Sequence, residues 1–103
     1  MAIVTVIAAT KDAASGATTE FTTTGPFVLY GDHFGWAESA QLLRLGPSGE
    51  YLPATNKDGV IQVGAYPNVV LVDTPGAYRI DKTKTVATAS VGYEELPAWL
   101  PQP

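Results

Sequence analysis

Short runs of β-branched and aromatic residues, separated by Gly, Pro or Asp, recur along the chain. That spacing predicts a sandwich or barrel of antiparallel strands. The first run is Ile3-Val4-Thr5-Val6-Ile7, followed by a polar loop over residues 11–16. The Thr-rich stretch 18–24 alternates poorly, which suits an edge strand, and Gly25-Pro26 separates it from Phe27-Val28-Leu29-Tyr30. Residues 38–45 fit both the helical and the strand period. The strand is favoured because Gly46-Pro47-Ser48-Gly49 reads as a hairpin turn into Glu50-Tyr51-Leu52. Asn56-Lys57-Asp58-Gly59 predicts a second turn, with Val60-Ile61-Gln62-Val63 as a strand behind it. Within a further strand over 66–72, Val69-Val70-Leu71-Val72 is apolar enough to be buried on both faces. Asp73-Thr74-Pro75-Gly76 is a turn into Ala77-Tyr78-Arg79-Ile80-Asp81, and Lys82-Thr83-Lys84 reads as a solvated turn before a strand over 85–93. The small residues Ala87, Ala89 and Gly92 suggest close approach of another sheet or subunit. The expected fold is all-β: a small β-sandwich or β-tulip/barrel of about seven to nine short strands over residues 1–93.

A chain of 103 residues holds one core. It contains no Cys, so neither a disulfide framework nor a thiolate metal site is available. A net charge of -4 and a pI near 4.6 argue against nucleic acid as a partner, since that surface requires a basic face. Residues 2–9 lack the basic flank of a signal peptide, and Lys11-Asp12 follow directly. No run approaches the roughly 20 apolar residues of a membrane helix, so no membrane association is expected.

Chemistry-bearing residues are sparse. His33 is the only histidine, and its neighbour Asp32 is poorly placed to orient it, because adjacent residues rarely face each other. No nucleophile elbow or second base accompanies it, so a loop histidine bonded to backbone is the preferred reading. The scattered acids show no paired spacing, and Asn56-Lys57-Asp58-Gly59 lacks the downstream Glu of a calcium loop. Gly46 and Gly49 are not followed by the Lys-Ser/Thr pair of a phosphate loop. Neither catalysis, a cofactor nor a metal is therefore expected. The loop aromatics Phe34 and Trp36, with Tyr51 and Tyr66, are candidates for a ligand or interface platform, or else for caps on one end of the core.

Residues 94–103 form a distinct arm. Pro97, Pro101 and Pro103 remove backbone donors, while Leu96, Trp99 and Leu100 supply large apolar surface on a segment unable to build its own core. Burying the Trp99 indole on a neighbour would contribute about 2–3 kcal/mol before ordering costs, and proline lowers those costs. Leu96, Pro97, Trp99 and Leu100 are accordingly the expected partner-binding residues, with packing back onto the parent domain as the alternative.

The stretch Val69-Val70-Leu71-Val72-Asp73-Thr74-Pro75-Gly76-Ala77-Tyr78-Arg79-Ile80-Asp81-Lys82, continued through Val91-Gly92, resembles small virion proteins of tailed bacteriophages. These share an apolar strand, a Pro/Gly turn, Tyr-Arg-apolar, a short basic turn and a strand ending near Val-Gly. In this respect the chain looks like the capsid decoration (cement) or head-fibre-base proteins, typically β-sandwich or β-tulip domains. That resemblance implies a non-enzymatic protein, made in the host cytoplasm and carried on the capsid surface. It implies a major capsid protein and further copies of the chain, in trimeric packing, as partners. Two alternatives stay open. One is a carbohydrate- or receptor-binding module of a tail or fibre, reading sugars through Phe34, Trp36 and Tyr66. The other is a head–tail junction or tail assembly component.

Overall fold

A computed structural model describes residues 3–96. Eleven strands follow one another: β1 (Val4–Thr10), β2 (Glu20–Thr23), β3 (Phe27–Asp32), β4 (Ser39–Leu45), β5 (Tyr51–Pro53), β6 (Thr55–Asn56), β7 (Gly59–Val60), β8 (Gln62–Gly64), β9 (Val69–Val72), β10 (Gly76–Lys82) and β11 (Ala89–Glu95). A single 3-10 turn, Ala17–Thr19, precedes β2. One sheet has the order β1-β11-β3-β9. The other has the order β2-β10-β4, with β5 and β8 both pairing along the outer side of β4. Every pairing is antiparallel. The fold is thus the all-β sandwich that the strand pattern predicts.

Alternation explains which side chains fill it. In β10, Tyr78, Ile80 and Lys82 point inward while Arg79 and Asp81 pair on the outer face, Nε to Oδ1 at 3.1 Å. β3 turns Phe27 and Leu29 inward, and β11 turns Ala89, Val91 and Tyr93 inward to meet them. Phe21, Phe27, Tyr78 and Tyr93 join the two sheets as one aromatic cluster. Phe21 stacks on Tyr93 at 4.6 Å, and Phe27 meets Tyr78 edge-on at 5.2 Å.

The extra strands come from one interrupted edge. Leu42 of β4 donates its N–H to the Ile61 carbonyl and accepts the Ala54 N–H, each at 2.9 Å, while Ile61 N–H reaches the Ala54 carbonyl at 2.8 Å. Ala54 and Ile61 are buried, and the β6–β7 hairpin between them is exposed throughout. What the sequence presents as a single strand over 60–63 is therefore split at Ile61.

Several other expectations are corrected. β9 closes one edge of its sheet with Val69 and Leu71 exposed, so it is not buried on both faces. Lys82 is only 3% exposed, not a solvated turn residue. Its ammonium donates to the carbonyls of Asp12 (2.8 Å) and Thr83 (3.1 Å) and to Thr85 Oγ1 (3.3 Å), which uses all three N–H groups. The small residue Gly92 is approached from within the chain, because a Cβ there would lie 2.8 Å from the Val4 carbonyl oxygen. The turn expected at 73–75 is present and carries the chain from β9 in one sheet to β10 in the other.

Register fixes two poles. Residues 33–38, 65–68 and 83–88 gather where β3 ends and β11 begins, because Ser90 pairs with Asp32 and Ala40 with Lys82. Residues 24–26, 46–50 and 73–75 gather at the opposite pole, where Glu95 pairs with Phe27 and Phe27 with Val72.

Candidate functional site

At the first pole two loops, residues 33–38 and 83–88, are tied by one carboxylate. Glu38 Oε1 accepts the Gly35 N–H at 2.6 Å and Oε2 accepts the Val86 N–H at 2.9 Å. These two backbone donors hold the Glu38 carboxyl below the usual carboxylate range, Gly35 having the larger effect. His33 and Ala37 take left-handed conformations, φ 65° and 63°, each costing of order 1 kcal/mol in a residue with a Cβ. Gly64 N–H bonds the Pro67 carbonyl at 2.9 Å across a cis Tyr66–Pro67 peptide, and Gly31 N–H bonds the Asn68 carbonyl at 2.8 Å. Gly64 itself admits no side chain, since a Cβ would lie 2.7 Å from the Glu38 carbonyl oxygen.

This bracing leaves two rings in solvent. Trp36 and Tyr66 are each 87% exposed, and Val86 in the neighbouring loop is 85% exposed. Trp36 and Tyr66 line a common cleft of about 240 Å³ with Glu38, Ser39 and Gln62. Phe34 does not join them. It is 8% exposed and packs into the core, where Gly31 lets it approach Val63, so of the two roles open to it the core cap is the one it fills. Tyr51 is also elsewhere, on β5, with its hydroxyl 3.3 Å from Glu20 Oε1 and its ring under Arg79.

At the second pole the final strand runs through Glu95, two residues into the segment that the sequence reading assigns to the arm. Glu95 Oε1 accepts the N–H groups of Thr24 (2.7 Å) and Gly25 (3.2 Å), which pins the end of β11 to the β2–β3 turn. Leu96 is half-buried and donates its N–H to the Pro26 carbonyl at 3.0 Å. Pro97, Trp99 and Leu100 lie outside the described residues. The same pole opens into a groove of about 810 Å³ between β9 and the β5 edge. Its rim carries the exposed Leu45, Leu52 and Leu71, its floor Ile61, Val72 and Tyr78, and the β6–β7 hairpin forms one wall.

Asp32 and His33, though adjacent, do meet: Nδ1 lies 3.4 Å from Asp32 Oδ2, with both side chains largely exposed and His33 in its left-handed conformation. Among the described residues no group of three or more His, Cys, Asp or Glu side chains is placed to hold a metal ion. None of their helices is long and apolar enough to cross a membrane. Sequence reasoning missed Glu38 as the tie between loops. Its spacing three residues after Gly35, with Trp36 between them, is the local signal that would have found it. No protein-family model, curated protein or solved structure matches the chain.

Proposed function

We propose that the protein is a non-enzymatic structural subunit of a phage virion, a capsid decoration or cement protein that grips the major capsid protein through its second pole. One observation carries this reading. Leu96, the last described residue, is bonded to Pro26 on the same pole as an open groove rimmed by exposed leucines, so the apolar residues that follow in the sequence and the groove can address one partner surface. Leu96, Pro97, Trp99 and Leu100 supply the anchor. Neighbouring copies of the chain, packed as trimers, share the contact.

Such a clamp stabilises the assembled shell because it binds the shell and not its separated parts. Many identical modest contacts then add to a high barrier against rupture. The test is co-expression with a tailed-phage major capsid protein, followed by sedimentation of the shells and electron microscopy. The full chain co-sediments as surface knobs, and a chain lacking residues 97–103 does not. Equal recovery of both forms, or a chain confined to a ring at the head–tail junction, refutes the decoration role. The truncation must begin at Pro97, because one beginning at Glu94 also removes two β11 pairs and the Glu95 tie.

A further inference from the structure

We propose that the first pole is a carbohydrate-binding site, in which Trp36 and Tyr66 hold the apolar face of a neutral pyranose ring while Ser39 and Gln62 meet its hydroxyls. The proposal does not depend on the capsid reading: the site lies at the opposite end of the sandwich from Leu96.

Large apolar rings normally escape water. Here two loops present them to it: one tied at both oxygens of Glu38, the other closed by the Gly64–Pro67 hydrogen bond. Preformed turns bearing Trp and Tyr lose little freedom when a ligand arrives, since each ring has only two side-chain torsions. The cleft between them, about 240 Å³, lies below the roughly 300–1,000 Å³ of drug-sized pockets and suits one sugar ring. Its lining mixes aromatic surface with amide and hydroxyl groups, which matches a molecule that is apolar on one face and hydroxylated at its rim. The carboxylate of Glu38 is already engaged by two backbone donors. Together with the chain's charge of -4, it disfavours acidic sugars and selects neutral ones.

The test uses the full chain on an array of immobilised neutral and sialylated oligosaccharides. It adds fluorescence titration of a Trp99→Phe variant, in which Trp36 is the remaining indole. The expected result is binding of neutral glycans with a change in Trp36 emission, weakened at least tenfold by Trp36→Ala and by Tyr66→Ala, and largely kept in Tyr66→Phe. Both rings are exposed, so these variants retain the β circular-dichroism spectrum. Three results overturn the proposal: no neutral glycan bound at millimolar concentration, preference for sialylated glycans, or binding indifferent to both alanine variants. A fourth is conversion of an oligomer to monomer by Trp36→Ala without loss of glycan, which would make the pole an interface between copies.

Discussion

Gly92 and Gly25 predict opposite outcomes for one substitution. An alanine Cβ at Gly92 would press on the Val4 carbonyl that opens β1 and on Ile3 just before it, so the start of β1 must shift. Gly92→Ala should cost about 1–3 kcal/mol in urea unfolding, whereas Gly25→Ala, with nothing within 4 Å, should stay within about 0.5 kcal/mol. Glu38 supplies a pH test. Its folded pKa lies below the usual carboxylate value, so its bracing is present above that value and is lost as pH falls through the lowered one. Protection of the Gly35 and Val86 amides from hydrogen exchange should hold from neutral pH down to the ordinary carboxylate range and fail below it. Glu38→Gln should lose protection at one of those amides at every pH, since its amide nitrogen cannot accept. At this scale the sequence is only partly readable. Trp36 emerges as a loop aromatic from its Gly35 neighbour, whereas Tyr66 is read into a strand over 66–72 that in fact begins at Val69, and nothing local separates Phe34 from Trp36. That distinction depends on the space above Gly31, which only the assembled sheets create. Lys82 was legible in principle, because strict alternation from Tyr78 and Ile80 turns it inward. A charged residue simply looks solvated until its acceptors, spread from Asp12 to Thr85, are brought together.

The elements themselves follow closely from the pattern. The Thr-rich β2 lies at an edge, residues 39–45 form a strand, and Gly46–Gly49 turns into β5 with Gly49 at φ 88°. Pairing across sheets is less visible. Turns such as 73–75 look like hairpins locally, yet their strands separate because β9 hydrogen-bonds β3 and β10 hydrogen-bonds β2 and β4. The interrupted edge is equally hidden, since Ile61 belongs to a strand by composition and to a junction by its bond to Leu42. The β6–β7 hairpin is an appendage on that junction. Replacing residues 55–60 by a short Asn-Gly link should leave the melting temperature within a few degrees, equivalent to about 1 kcal/mol. The same change removes a wall of the groove. If the proposed decoration role holds, binding to capsid shells falls while thermal unfolding barely moves; a large drop in stability would mean the hairpin supports the core.

The described residues form a compact sandwich, 38 × 31 × 25 Å, with different chemistry at its ends. One end, which holds Leu96, offers an apolar groove, and the other offers two aromatic rings on braced loops. That polarity suits a subunit held at one end and presenting the other, and composition alone does not reveal it. The claim on which this arrangement turns is that the indole of Trp99 finds its resting place on a partner. Iodide quenching of a Trp36→Phe variant, where Trp99 is the remaining indole, tests it directly. Quenching as efficient as for a free indole in dilute monomer, with protection on adding capsid shells, is the predicted result. An indole already shielded in the dilute monomer would contradict the account.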